Sequence, residues 1–105
     1  MASNASEIKG SSIHLIAQMT ALPGKEETIL KHLKNVQDNA LSDNEPGCNR
    51  YDVLRYGDSF AVIENYSTTK DVDIHMASEQ FQAFAKELEG LAVPGTFILK
   101  FFGDA

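Results

Sequence analysis

Between residues 13 and 20 apolar and polar side chains take turns. Ile13, Leu15, Ala17 and Met19 fall on one side, and His14, Ile16, Gln18 and Thr20 on the other. A period of two is the pattern of a strand. Leu22-Pro23-Gly24 breaks it, and Glu26 and Glu27 follow, where negative charge favours the start of a helix. Ile29, Leu33, Val36 and Ala40 then recur at helical spacing, with Lys31, Lys34 and Asp38 turned away. That predicts an amphipathic helix, ended by Ser42-Asp43-Asn44.

Two runs rich in β-branched and aromatic residues, 45–56 and 60–67, flank Gly57-Asp58-Ser59 and predict a β-hairpin. Pro46-Gly47 opens its first strand as a turn. On its second strand Phe60, Val62, Glu64 and Tyr66 share a face, so a carboxyl and a phenol project from an apolar surface. Thr68-Thr69-Lys70-Asp71 has the form of a capping box. A short helix should follow with Val72, His75 and Met76 inward. Ser78-Glu79-Gln80 reads as a restart, Phe81, Phe84, Ala85 and Leu88 as a second apolar stripe, and Gly90 as its stop. Pro94-Gly95 turns the chain into a last strand, 96–102, with Phe97, Leu99 and Phe101 on one side.

The order is βαββαβ. It predicts an α+β, ferredoxin-like fold with an antiparallel sheet and helices on one face. Residues 1–12 read as a flexible tail and 13–105 as a single domain. Ile13, Leu15 and Met19, Ala61 and Ile63, Phe60 and Val62, Ile98 and Phe102, and Phe97 and Leu99 place apolar residues on both sides of the sheet. Helices cover only one face, so a homodimer packed sheet against sheet is expected, a dimeric α/β barrel.

The formal charge of −6 and pI near 4.9 argue against nucleic acid and anionic membrane surfaces as partners. No apolar run approaches the roughly 20 residues of a membrane span, and the first dozen residues lack the apolar segment of a secretory signal. Cys48 is the single cysteine, so no intrachain disulfide forms, which fits a reducing cytoplasm.

Three local signatures resemble the antibiotic biosynthesis monooxygenase family of dimeric α/β barrels. The first is Glu45-Pro46-Gly47-Cys48 followed by Tyr51-Asp52-Val53. The second is Glu64-Asn65-Tyr66-Ser67. The third is His75-Met76-Ala77-Ser78 followed by Phe81. The resemblance runs from Ile13 to Phe102. It implies a cavity between sheet and helices, one per subunit, and oxygenation of electron-rich aromatics without metal, flavin or haem, in secondary metabolism. The chain departs from the family in carrying Tyr66 where many members have Trp, and Val62 where some have Asn.

Cofactor-independent oxygenation requires that the substrate, a small hydrophobic or phenolic metabolite, supply the electrons for dioxygen. A phenol or enol must first lose a proton, because its anion passes an electron to triplet dioxygen far more readily. The site then needs a base, an apolar enclosure and a polar group for the substrate oxygen. His75 and Glu64 are the two candidate bases: an imidazole titrates near neutrality, and a carboxyl in an apolar pocket is pushed towards that range. A His75–Glu64 pair lining the pocket is expected, with His75 the base; each could equally be a structural partner of the other. Tyr66 could orient substrate by stacking and hydroxyl contact, with Tyr51, Val62, Phe81 and Phe84 as further substrate contacts. Cys48 reads as a small packed residue rather than a nucleophile. His14 and His32 lack metal-ligand spacing, so no metal site is expected.

Three other functions compete: haem degradation with His75 as iron ligand, decarboxylation or cyclisation of a polyketide-like acid, and a non-catalytic dimer that holds a small apolar molecule.

Overall fold

The computed structural model describes residues 4–8 and 11–105. Of the expected flexible tail, 1–3 and 9–10 lie outside the described residues. Asn4 accepts a hydrogen bond from the Ser6 amide and caps a short 3-10 turn, Ala5–Glu7, whose Ala5 is buried.

Seven larger elements follow. They are β1 (Ile13–Thr20), α1 (Glu26–Ala40), β2 (Cys48–Tyr56), β3 (Ser59–Tyr66), α2 (Thr69–Met76), α3 (Glu79–Glu87) and β4 (Ile98–Phe102). The four strands form one sheet in the order β2-β3-β1-β4, with every pairing antiparallel. This is the ferredoxin-like α+β fold, its second helical segment split into α2 and α3. The split is written in the sequence. Thr68 caps α2 by accepting from the Asp71 amide, and Ser78 caps α3 by accepting from the Phe81 amide. The last strand begins at Ile98, two residues later than the alternation predicts.

The register sorts the side chains. Ile13, Leu15, Ala17 and Met19 lie opposite Tyr66, Glu64, Val62 and Phe60, and all eight are buried under the helices. From α1, Ile29, Leu33, Val36 and Ala40 close over them. Fully burying the isoleucine, leucine and valine side chains among these stabilises the fold by roughly 1.5–3 kcal/mol each. On α3 only Phe84 is fully buried, whereas Ala85, expected in the apolar stripe, faces solvent. The helix is short and is gripped along one narrow line.

The hairpin turns on Gly57 (φ 63°) followed by Asp58 with an ordinary φ, the φ signs of a type II′ turn. At the other end of β2 a bulge at Asn49 shifts the register, so that Cys48 faces Tyr66 and Tyr51 faces Glu64. Two residues three apart in sequence thereby reach the same face.

Opposite the helices, the other sheet face carries Ile16, Ile63, Ile98, Leu54 and Phe102, and no helix among the described residues covers it. Leu54 is 48% and Phe102 45% exposed. No helix among the described residues is long and apolar enough to cross a membrane.

Candidate functional site

The buried core divides into two clusters that meet along β3. Val62, Tyr51 and Phe84 belong to one; Tyr66, Ile13 and Val72 belong to the other. Glu64 lies between Val62 and Tyr66 on that strand. The buried charged residues among those described are Glu45, Glu64 and His75, and all three meet at this junction.

His75 stands in the last turn of α2 and is 1% exposed. Its Nδ1 lies 2.8 Å from Glu45 Oε1, and its Nε2 lies 3.5 Å from Glu64 Oε1. Three rings surround the imidazole: Tyr66 at 5.3 Å, Phe81 at 5.5 Å and Tyr51 at 5.7 Å between centroids. Glu45 is delivered by the turn after α1. Its backbone N–H donates to the Ser42 carbonyl, and its own carbonyl accepts from the Cys48 amide. The second carboxyl oxygen of Glu45 accepts from Asn39 Nδ2 at 2.6 Å. On the strand side, the Tyr66 hydroxyl donates to Glu64 Oε1 at 2.5 Å.

Burial sets the proton inventory. It raises the Glu64 carboxyl to about 8; the Tyr66 hydrogen bond opposes this and the nearby Glu45 adds to it. Burial also pulls His75 below its ordinary value, against the opposing pull of Glu45. Desolvation disfavours the charged form in both cases. At neutral pH the imidazole is therefore the neutral, proton-accepting form, and Glu64 is largely the protonated acid. Tyr51 and Tyr66 are pushed well above the usual phenol range, first by burial. Cys48 is raised to about 11 by burial, so it stays a thiol rather than a nucleophile.

Glu64 and His75 line a void between sheet and helices together with Tyr51, Val62, Phe81 and Phe84. These are six of the seven residues named from the sequence as site candidates. The seventh, Tyr66, does not line it. It is fully buried, touches the His75 ring and donates its hydroxyl to Glu64, so it adjoins two residues of the lining. The expected His75–Glu64 pair is present as the longer contact, while the closer partner of His75 is Glu45.

Glu45 was missed as a site residue because it lies 30 positions from His75 and heads a Pro-Gly turn, where an acid normally faces solvent. Its place at the head of Glu45-Pro46-Gly47-Cys48 was the one available signal.

The void measures about 20 Å³, room for a single water. That is far smaller than a phenolic metabolite needs. Tyr51, in its lining, is buried, and its backbone carbonyl accepts from Gln37 Nε2 at 2.7 Å. A larger groove of about 620 Å³ lies at the hairpin end beside Leu54, Tyr56 and Ile98, away from His75. Among the described residues, no group of three or more His, Cys, Asp or Glu is arranged to hold a metal ion. His14 and His32 instead pair with Asp104 and Glu87.

The sequence profile of the family described as "antibiotic biosynthesis monooxygenase" matches residues 12–87. The chain belongs to this family. Solved structures agree with the fold. A protein of Mycobacterium tuberculosis superposes with a TM-score of 0.82 at 18% identity, over 90% of this chain and 96% of the other. One from Pseudomonas aeruginosa gives 0.79 at 24% identity, over 91% and 96%. One from Caulobacter crescentus, described as a candidate antibiotic biosynthesis monooxygenase, gives 0.79 at 19% identity, over 90% and 91%. At these identities the likeness concerns the fold alone. No curated protein matches the chain at a significant level.

Proposed function

We propose that this protein is a monooxygenase that joins dioxygen to a small hydrophobic or phenolic metabolite without metal, flavin or haem, with His75 as the base. Membership of the family supports the reaction class. The observation that carries the assignment is an imidazole buried among aromatic rings in the lining of an apolar void, with the Glu64 carboxyl 3.5 Å from its Nε2, where burial favours the neutral form of both. Nε2 takes a proton from a phenol or an enolisable carbon. The resulting anion passes an electron to dioxygen, and the Tyr51 hydroxyl holds the substrate oxygen. For a CH2 between aromatic rings, oxidation to C=O supplies every electron that dioxygen needs; one oxygen atom enters the product and the other leaves as water.

Substrate binding requires the site to open. Phe81 and Met76, half-buried at the joint between α2 and α3, are the side chains that move. The uncovered apolar sheet face supports a homodimer packed sheet to sheet, and the unbridged Cys48 is compatible with a cytoplasmic home.

Oxygen uptake with phenols and anthrone-like compounds tests the function. Turnover should vanish in His75→Ala and persist in Lys34→Ala, on the exposed side of α1. The closed void gives weight to a second reading, a dimer that holds a small apolar molecule and turns nothing over. Binding without oxygen uptake across the panel would select it.

A further inference from the structure

A base buried this deeply has to dispose of the proton it takes. The void on its Nε2 side holds one water at most, and a proton left there would return to the substrate anion. The other ring nitrogen leads elsewhere. Glu45 lines an outer groove of about 430 Å³ together with Asn39, Asn44, Ile74 and Gln80, on the far side of the imidazole. His75 lines the inner void and Glu45 the outer groove, and a 2.8 Å contact joins them.

We propose that Glu45 holds His75 in its Nδ1–H tautomer and passes the imidazole's proton to solvent through this outer groove. The catalytic use of the route rests on the reading of His75 as base; the tautomer and the route do not.

The geometry of the carboxyl supports both parts. Oε1 faces Nδ1, and Oε2 accepts from Asn39 Nδ2, whose own Oδ1 accepts from Asn44 Nδ2 at 2.9 Å. Glu45 is thus fixed at both oxygens and presents an acceptor to Nδ1. An acceptor there places the hydrogen on Nδ1 and leaves the lone pair on Nε2. The other polar groups around the ring do not compete: Glu64 Oε1 already accepts from Tyr66 at 2.5 Å and lies 3.5 Å from Nε2. When Nε2 takes a proton, the Nδ1–H bond breaks and its proton moves to Glu45 Oε1. Glu45 then releases it to water in the groove. One proton enters at Nε2 and one leaves from Nδ1, which leaves His75 as the Nε2–H tautomer. The base is restored when Nε2–H gives its proton to the hydroxide that leaves as water and Nδ1 regains one through Glu45. No electron moves in the step. Glu45 is a positioning residue here, since it touches the base and not the substrate.

Nitrogen-15 NMR of histidine-labelled full-length protein, without any substrate, tests this. The wild type should show His75 as the Nδ1–H tautomer near neutral pH. In Glu45→Gln that tautomer should lose its dominance, and exchange of the Nδ1 proton with water should slow at least tenfold. A merely structural pair predicts the opposite, because loosening it speeds exchange. An Nε2–H tautomer in the wild type, or unchanged or faster exchange in Glu45→Gln, overturns the proposal. If Glu45→Gln does not fold, Asn39→Ala frees the carboxyl without altering its charge: a reduced Nδ1–H share supports the proposal and an unchanged share overturns it. Absence of oxygen uptake would remove the oxygenase reading and leave these spectra standing. Unchanged exchange would remove the relay and leave the oxygenase reading intact.

Discussion

Tyr66 donates its hydroxyl to Glu64 Oε1 at 2.5 Å in a part of the core closed to solvent. The bond lowers the Glu64 pKa, but burial outweighs it and the carboxyl keeps its proton up to about pH 8. In the unfolded chain the same group titrates near 4.5. Folding therefore draws on a contribution that is complete below about pH 4.5 and is lost as the pH rises towards 8. The slope approaches ~1.4 kcal/mol per pH unit within that window. Glu64→Gln has no such dependence. Urea unfolding at a series of pH values should show the variant gaining on the wild type between about pH 5 and 8. A constant difference across the series would contradict the buried neutral acid.

The sign reverses for His75. Its folded-state pKa lies below the ordinary 6.5, so its contribution is present above that value and lost as the pH falls through the folded pKa. In a Glu64→Gln background, with the carboxyl silent, stability should decline on acidification below about pH 6.5. His75→Gln in the same background should flatten that part of the curve.

Gly47 packs against the Asp71 carboxyl so closely that a Cβ has no space. Asp71 is held there by the Thr68 hydroxyl at 2.7 Å, at the start of the helix that carries His75. Gly47→Ala should cost about 1–3 kcal/mol through this overlap. Removing the obstacle with Asp71→Ala should recover part of the loss, so the double variant should be more stable than the sum of the two single changes implies. Simple additivity in thermal melts would argue against the clash.

The open sheet face predicts association. Sedimentation should give twice the 11.5 kDa chain mass. Ile63→Glu, which places a charge among Ile16, Ile98 and Leu54, should give the mass of one chain with the fold retained by circular dichroism. A wild-type mass of one chain would remove the dimer.

Phe81 fills the space that a guest needs. Phe81→Ala should lower stability by roughly 2–3 kcal/mol and open the void to small aromatics. Calorimetry with phenol or indole should show binding at least tenfold tighter than in the wild type. Equal binding would place the guest elsewhere.

The fold was legible because its signals are local. Alternation over residues 13–20 gave β1 with its bounds, and Thr68 and Ser78 announced both caps. Glu64 and His75 could be picked out as polar residues on apolar faces, and both face the void. What was not legible depends on distance and on the backbone. The Asn49 bulge breaks the period of two, so no alternation argument places Cys48 and Tyr51 on one face. Glu45 becomes a partner of His75 only once the turn after α1 is folded against α2. Tyr66 shares a face with Glu64 in sequence, but strand geometry alone does not reveal that Glu64 lines the void and Tyr66 does not.

A hollow with space for one water also sets a kinetic expectation. Nothing aromatic fits until Phe81 and Met76, at the joint between α2 and α3, move aside, so uptake is governed by how often the protein gapes rather than by how often a guest arrives. Binding rates should level off at high ligand concentration, and the plateau should move with changes at that joint even when the chemistry beyond it is untouched.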